Sequence, residues 1–378
     1  MAGELLLWVM AVCSGAIVLI HLALAAGVLV NLARDAVRAA VPALSVSVVV
    51  AARDEEANLP ALFASLEAQT LRGFQVVLVD DRSTDGTFGL MEGFRARHRG
   101  SVTVLRNNRE PDTRNPKQAA LDIAARAATG EVLVFTDADC VLPPRWLAGL
   151  LAWFALPRVG VVFGQVSLPA RGPGFLARFQ AYDQPLIHQW NSVSAGLGMP
   201  GSCFGNNLAC RRAVLEEAGG FLGLGDTLTE DAALVAAAAK RGWQIRVSTR
   251  RSTMISTRPQ DSWAGFLNQH LRWNTGAFFH QEVGTRLTYR FIVLFLTASV
   301  LALPLCPFYP PLLMLPAASF IAVGLMGLLA GVLYRPDTAA YLLRLAPYTL
   351  FFMAFYSLAT VLSMLRLSVE WKGRRIGP

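Results

Sequence analysis

The sequence predicts an α/β protein with a mainly parallel central sheet, flanked by transmembrane helices. Residues 44–250 alternate short β-rich runs with amphipathic stretches, the order typical of a parallel sheet covered by helices. Long apolar segments lie on both sides of this region, within residues 5–33 and 291–365. Hydrophobic residues make up 54% of the 378-residue chain and charged residues only 16%. This composition fits a globular domain joined to membrane segments.

The N-terminal apolar segment, residues 5–33, is long enough to cross a hydrocarbon core of roughly 30 Å at about 1.5 Å per residue. A cleaved signal peptide is the alternative, but no basic residue precedes the segment and the apolar run is too long. Arg34 and Arg38 follow the segment, whereas Glu4 precedes it. By the positive-inside bias, residues 1–38 are expected to be a membrane anchor that leads into the cytoplasm.

The central region contains five β-rich runs and two clear amphipathic stretches. The β-rich runs are residues 44–51, 75–80, 102–105, 131–137 and 160–166, and the amphipathic stretches are 58–69 and 116–128. In a parallel sheet of this kind, ligands bind at the carboxyl ends of the strands. We expect residues 39–285 to form one cytoplasmic domain with its site at that edge.

Three further apolar segments, residues 291–308, 311–333 and 346–365, predict a membrane region over 286–378. Three crossings would leave the C-terminus outside. By charge, however, the loop with Arg335 and Arg344 and the basic tail around Arg374 belong inside. The sequence therefore predicts two or three transmembrane helices and leaves open whether one segment is re-entrant or interfacial.

Acidic residues follow two of the predicted strands. Asp80 and Asp81 end the second strand, and Asp137 and Asp139 end the fourth with one alanine between them. Side chains two residues apart on an extended chain lie on the same face. Because like charges so placed repel, Asp137 and Asp139 predict a cation between them.

Two motifs follow further along the chain. Glu230 and Asp231 begin an Ala-rich predicted helix, where the helix dipole favours ionised carboxylates. Capping of this helix by Thr229 is the alternative interpretation. The stretch "QHLRW", residues 269–273, presents a cation and an indole on one helix.

Taken in order, the acidic loop at 54–55, the pair at 80–81, "DAD" at 137–139, "TED" at 229–231 and "QHLRW" resemble the family 2 glycosyltransferases of the GT-A fold. That family uses nucleotide-sugar donors, and the resemblance covers roughly residues 44–280. Membrane-bound relatives that glycosylate ceramide or carotenoids share the Q-x-x-R-W motif. The final "WKGRR" also recurs in membrane-bound members.

The resemblance implies a role for each motif residue. It assigns binding of the donor's nucleoside to Asp54, Glu55 and Asp81, although many family members carry Asn at the position of Asp54. It places Lys117 near the donor. It also implies that Asp137 and Asp139 bind a divalent metal, Mg²⁺ or Mn²⁺, that bridges the donor diphosphate. It makes Asp231 the catalytic base, with Glu230 as the next candidate. Further donor contacts come from Gln269, Arg272 and Trp273. Acceptor-side contacts come from Trp273, Gly205, Asn206 and Asn207.

The resemblance also implies an activity and a location. The implied activity is transfer of a hexose from a UDP-sugar to the hydroxyl of a membrane lipid, with inversion at the anomeric carbon. UDP-glucose is the first candidate donor. A processive polysaccharide synthase and a non-catalytic membrane partner that binds nucleotide sugar remain alternatives. The implied location is the cytoplasmic membrane, the inner membrane of a bacterium, with the bilayer itself as a partner. Nucleic acid is not expected, because the net charge of +8 is dispersed and forms no compact basic run with aromatics.

Overall fold

The architecture is that of a computed structural model, which describes residues 1–36, 40–110, 115–169, 174–199, 201–280, 282–334, 338–365, 369–371 and 374–376. Arg38 and Arg335 were used to predict the membrane orientation from the distribution of positive charge. Both lie outside the described residues. The same holds for Lys372 and Gly373 in the basic tail.

Helices and strands alternate through the first two thirds of the chain. The helices are α1 Ala2–Ala36, α2 Leu59–Glu67, α3 Thr87–Arg97, α4 Pro116–Ala127, α5 Trp146–Leu151, α6 Phe175–Gly196, α7 Arg212–Glu217, α8 Glu230–Lys240, α9 Trp263–Phe278, α10 Val283–Ala302, α11 Met314–Tyr334, α12 Thr338–Leu343 and α13 Leu345–Met364. The strands are β1 Val46–Ala52, β2 Gln75–Asp81, β3 Val102–Asn107, β4 Val132–Phe135, β5 Val159–Phe163, β6 Val166–Ser167, β7 Leu208–Arg211, β8 Gln244–Val247, β9 Ile255–Ser256, β10 Val369–Trp371 and β11 Arg374–Ile376.

A seven-stranded sheet in the order β3-β2-β1-β4-β7-β5-β8 forms the centre of the α/β region. The pairs β1–β2, β1–β4, β2–β3 and β5–β8 are parallel, so the predicted mainly parallel sheet is confirmed. Strand β7 is the exception: it runs antiparallel to both β4 and β5. It also separates β4 from β5, which follow each other in sequence. Neither β7 nor β8 was among the predicted strands.

Apolar packing on both faces explains why β1, β2 and β4 are continuous hydrophobic runs. Val49, Val77 and Phe135 are buried in one core with the inner face of α4, including Ala120 and Ala124. Such strands lack the polar alternation of a half-exposed sheet because helices cover both faces. Burial of these faces fixes the register and brings the carboxyl ends of β1, β2 and β4 to the same edge.

The chain forms two compact units that interleave along the sequence. One unit comprises Met1–Leu29, Ala170–Val193 and Pro259–Pro378, and the other comprises Val30–Pro169 and Ser194–Arg258. We call them the helical unit and the α/β unit. The predicted domains 1–38, 39–285 and 286–378 are consecutive, whereas α6 and α9 belong to the helical unit. The functional division into anchor, catalytic domain and membrane region stays a prediction.

Four helical segments are long and apolar enough to cross a membrane. They are Gly3–Ala36, Val283–Leu305, Pro310–Tyr334 and Leu345–Met364. All four predicted apolar segments are therefore helical in the structure. The third and fourth spans are separated by the short helix α12, which the sequence did not predict. The number of segments that cross, and the direction of each, stay predictions.

Candidate functional site

Acidic side chains collect at the carboxyl ends of β1, β2 and β4 in the α/β unit. Strand β4 ends at Phe135, and Asp137 and Asp139 lie in the loop and turn that follow. The expectation that strand alternation aligns these two carboxylates was therefore wrong, because the strand stops before either of them. The turn nevertheless brings them close enough to interact electrostatically.

Asp139 is a half-buried carboxylate with few neutralising partners among the described residues. Its Oδ2 accepts a hydrogen bond of 2.7 Å from the Thr257 hydroxyl, and its Oδ1 lies 3.7 Å from the Cys140 Sγ. Burial raises the pKa of the Asp139 carboxyl, and the negative charge of Asp137 raises it further. The predicted like-charge repulsion is thus present, and a cation would relieve it.

Lys117 connects two motifs that are far apart in sequence. The Asn115 side chain caps α4 by accepting a hydrogen bond from the Lys117 backbone N–H, which fixes the lysine in the first turn. The Lys117 Nζ lies 2.6 Å from Asp137 Oδ1 and 3.8 Å from Glu230 Oε1. Burial alone would lower the pKa of Lys117, but the carboxylates of Asp137 and Glu230 outweigh it and raise the pKa. The lysine is therefore a permanent cation at this edge.

Glu230 and Asp231 occupy the first turn of α8, as the sequence predicted. The Asn115 Nδ2 donates to Glu230 Oε2 at 2.6 Å. Thr229 takes the N-cap position, but its side chain makes no capping hydrogen bond. The Thr229 side chain therefore does not cap α8, and Glu230 is held by Asn115 instead.

Asp231 is fixed by backbone donors on both of its oxygens. Oδ2 accepts from the Gly205 N–H and Oδ1 from the Ala232 N–H, each at 2.8 Å. A Cβ at position 205 would lie 3.1 Å from Asp231 Oδ2, so glycine allows this close approach. Burial raises the pKa of Asp231 to about 6, with a further contribution from Glu230. Asp231 is thus an oriented carboxylate with a pKa in the range useful for a general base.

Asn206 and Asn207, both expected on the acceptor side, have different environments. Asn206 is half-buried, and its Nδ2 lies 3.6 Å from the Cys140 Sγ. Asn207 is fully buried: its Oδ1 accepts from the Trp146 indole, and its Nδ2 donates to the carbonyls of Gln165 and Thr253. Both amide hydrogens of Asn207 are used within the fold. The geometry gives Asn207 a structural role, whereas the acceptor-side role of Asn206 stays a prediction.

Replacing Asn207 by alanine should therefore act on stability. Three buried hydrogen-bond partners would lose their contacts, and each unsatisfied buried group costs about 1–3 kcal/mol. We expect a lower midpoint of thermal unfolding in detergent for Asn207→Ala, whereas the neighbouring Asn206→Ala should unfold close to the unmodified protein. An Asn207→Ala protein that unfolds normally and has lost acceptor binding would instead support the original prediction.

The loop after β1 supplies the two other acidic candidates. Asp54 adopts a left-handed backbone conformation with φ of 53°, and its Oδ1 accepts from the Thr84 N–H at 2.8 Å. Glu55 donates its own N–H to the Thr87 hydroxyl at 2.7 Å. Both residues are thus anchored to the loop and helix that follow β2. Residue types other than glycine rarely take such a φ, so the turn is held by these contacts.

Asp81 lies at the end of β2 and is paired more fully than the sequence indicated. Arg82 binds it through two hydrogen bonds of 2.9 and 2.8 Å, and Asn107 Nδ2 donates to it at 2.9 Å. Arg82 has a φ of 61°, and this left-handed turn directs its guanidinium back onto the preceding residue. The adjacent Asp80 is fully buried beside Arg106. Arg82 and Asn107 are site neighbours that sequence reasoning missed; the "DDR" sequence was the available signal.

Gln269, Arg272 and Trp273 are located on α9, which belongs to the helical unit. All three side chains are half-buried, at spacings of three and four residues that place them on one side of the helix. Trp273 contacts the ring of His270, with 5.1 Å between ring centroids. Of the fourteen predicted site residues, eleven fall in the α/β unit and three in the helical unit.

A divalent metal fits the chemistry of the α/β site. No group of three or more His, Cys, Asp or Glu side chains is placed to hold a metal within the part of the chain that the structure describes. Asp137 and Asp139 are the carboxylates that would hold such an ion. Hard divalent cations prefer such carboxylates and accept phosphate oxygens as further ligands. The raised pKa of Asp139 beside Asp137 is the electrostatic signature of a pair that favours a cation.

Comparison with known proteins places this chain among glycosyltransferases. The model of "Glycosyl transferase family 21" matches residues 6–377. The β-monoglucosyldiacylglycerol synthase of Synechocystis sp. is 26% identical over 212 residues, which are 55% of this chain and 43% of that protein. The undecaprenyl-phosphate 4-deoxy-4-formamido-L-arabinose transferase of Pseudomonas aeruginosa is 33% identical over 109 residues, 28% of this chain and 31% of that protein. The chain thus spans less than half the length of these curated relatives.

One solved structure shares the fold over nearly the whole chain. It is the mannosyltransferase PcManGT from Pyrobaculum calidifontis in complex with GDP-Man and Mn²⁺. The two chains are 21% identical with a TM-score of 0.57, and the match covers 94% of this chain and 99% of that one. Together with the mainly parallel sheet, this similarity confirms the expected GT-A type of fold.

Proposed function

The chain belongs to glycosyl transferase family 21. From this premise we propose that it transfers a hexose from a UDP-sugar to a hydroxyl of a membrane lipid, with UDP-glucose as the first candidate donor. The family number differs from the one the motifs resemble, whereas the class of enzyme agrees. The observation that carries the proposal is Asp231, a half-buried carboxylate held on both oxygens and with a pKa of about 6.

The proposed reaction inverts the sugar's anomeric configuration in one displacement. Asp231 takes the proton of the acceptor hydroxyl, the oxygen attacks the anomeric carbon, and the bond to the donor diphosphate breaks. No covalent enzyme intermediate is required. A divalent cation, Mg²⁺ or Mn²⁺, held by Asp137 and Asp139 would supply neutralising charge for the diphosphate. Arg272 would add a second cation for the same group.

The lipid acceptor is supported by the relatives and by composition. The Synechocystis protein is named as a synthase of a glucosyldiacylglycerol, and the Pseudomonas protein as an undecaprenyl-phosphate transferase. Both acceptors named there are lipids. The four helical segments that are long and apolar enough to cross a membrane support an acceptor that lies in the membrane. We place the protein in the cytoplasmic membrane, with its α/β unit on the cytoplasmic side where the donor pool lies.

The shifted pKa of Asp231 predicts a pH dependence of turnover. A general base acts in its ionised form, so kcat should rise with pH up to about 6 and level off above it. The measurement is kcat from about pH 5 to about pH 8 at saturating donor and metal. The residual activity of Asp231→Asn should lack this acid limb. An identical limb in the variant would assign the titration to another group.

The proposal as a whole is tested by mass spectrometry of lipids from cells with and without the protein, followed by transfer from labelled UDP-glucose to the extracted lipid. We expect a new hexosyl-lipid. A high-mass polysaccharide would identify a processive synthase instead. Nucleotide-sugar binding without any product would identify a non-catalytic partner.

A further inference from the structure

The helical unit contains a buried ionisable pair that the proposed reaction does not use. His270, on α9, lies 2.8 Å from its Nε2 to Asp183 Oδ2 on α6. Both side chains are only 2% exposed. The Tyr356 hydroxyl, on α13, donates to the other Asp183 oxygen at 3.2 Å. Three helices of the helical unit therefore meet at one carboxylate.

The hydrogen-bond partners of His270 determine how many protons the pair holds. The Nδ1 of the ring lies 2.9 Å from the backbone carbonyl of Phe266, which can only accept. This nitrogen must therefore carry a hydrogen. The Nε2 faces a carboxylate oxygen, so a second hydrogen is needed between Nε2 and Asp183. One hydrogen on Nδ1 and one between Nε2 and Asp183 satisfy every hydrogen-bond contact of the two side chains.

A second set of polar contacts lies one helical turn further along α9. Asn274 donates to the Ser363 hydroxyl at 2.9 Å and to the Ala359 carbonyl at 3.2 Å, both on α13. The Tyr289 hydroxyl, on α10, donates to the Asn274 side-chain oxygen. Positions 270 and 274 lie on the same side of α9. That side is consequently fixed against α6, α10 and α13 by directional bonds rather than by apolar contact alone.

We propose that Asp183 and His270 are positioning residues that set the rotation of α9 and, with it, the orientation of Gln269, Arg272 and Trp273. Gln269 precedes His270 directly, and Trp273 contacts the His270 ring. A rotation of α9 would turn all three motif side chains together. Such a rotation would break the hydrogen bonds of His270 and Asn274, because hydrogen bonds weaken steeply away from their preferred geometry. The proposal rests on the proposed function, because the motif residues matter only if sugar transfer occurs.

The test compares Asp183→Ala, His270→Ala and the double variant in the full-length protein. We expect each single change to lower kcat by about 10²-fold, the cost of a misplacement of about 1 Å. The donor KM should change by about threefold or less, because most candidate donor contacts are in the α/β unit. The double variant should lose no more than the worse single variant, because both single changes break the same contact. Asp183→Asn, which keeps the shape and one of the two acceptor oxygens, should recover part of the loss.

Tyr182→Phe is the matched control. It removes a buried hydrogen bond of 2.9 Å to Thr349, which links α6 to α13 without involving α9. We expect its kcat to stay unchanged. Equal losses in Tyr182→Phe and Asp183→Ala would mean general loosening of the helical unit and would overturn the proposal. Folded Asp183→Ala and Asp183→Asn proteins with normal kcat would also overturn it.

Hydrogen exchange of the α9 amides gives a readout that does not depend on activity. We expect exchange in α9 to increase by about tenfold in the single alanine variants and to stay normal in Tyr182→Phe. If the unmodified protein transfers no sugar to any lipid, the proposed function fails, and faster exchange would still support the positioning role. Unchanged exchange in α9 would refute the positioning role even in an active enzyme.

Discussion

Asp231→Asn should reduce sugar transfer by about 10²- to 10⁴-fold, the usual contribution of a general base. The amide has nearly the same shape, and its oxygen can still accept from the Gly205 or Ala232 N–H. The variant should therefore keep its fold and its affinity for UDP and metal. The measurement is paired: UDP affinity by calorimetry, and transfer at saturating donor.

Asp261→Asn provides the control for this change, because it makes the same chemical substitution on an exposed side chain. It should transfer sugar normally. Normal transfer by Asp231→Asn would move the base elsewhere, with Glu230 as the next candidate. Loss of UDP binding by Asp231→Asn would place the residue in the donor site and contradict the proposed mechanism.

Asp139→Asn should lower transfer by about 10²-fold or more, because it removes charge from the carboxylate pair expected to hold the metal. An amide oxygen can still accept the Thr257 hydrogen bond, so the loop after β4 should stay folded. In the unmodified protein, EDTA should abolish transfer, and excess Mg²⁺ or Mn²⁺ should restore it.

Thr257→Val tests the hydrogen bond to Asp139 separately from the charge of the Asp139 carboxylate. It removes the hydrogen bond to Asp139 while leaving both carboxylates in place, so we expect a smaller loss that added metal partly reverses. Asp139→Asn should not respond to added metal in this way. Full activity of the unmodified protein in EDTA would refute the metal assignment, whatever the variants show.

Most of the sheet was predictable because burial leaves a strong local pattern. Strands β1, β2 and β4 are continuous apolar runs between turn signals, and each was located to within a few residues. Strand β7 was missed because it has only four residues and follows an irregular glycine-rich segment. Its pairing partners, β4 and β5, are distant in sequence, so no local pattern indicates them.

The site was predictable as residue types but not as contacts. The motifs identified Asp137, Asp231 and Lys117 without showing that Lys117 bonds Asp137 directly. Such a contact depends on the register of β4 against α4 and cannot be obtained from spacing. The pairing of Asp81 with Arg82 required a left-handed backbone at Arg82, which residue type alone rarely indicates. The assignment of α9 to the helical unit is likewise a property of tertiary packing.

The position of Lys117 affects the stability of the α/β unit itself. Asp137, Asp139, Glu230 and Asp231 are four acids in partly or fully buried positions, and their mutual repulsion opposes folding. The ammonium between Asp137 and Glu230 is an internal counter-ion that offsets part of that repulsion. Catalytic arrangements commonly reduce the stability of the proteins that contain them. Lys117 therefore gives this group of acids a partial compensation from within the chain itself.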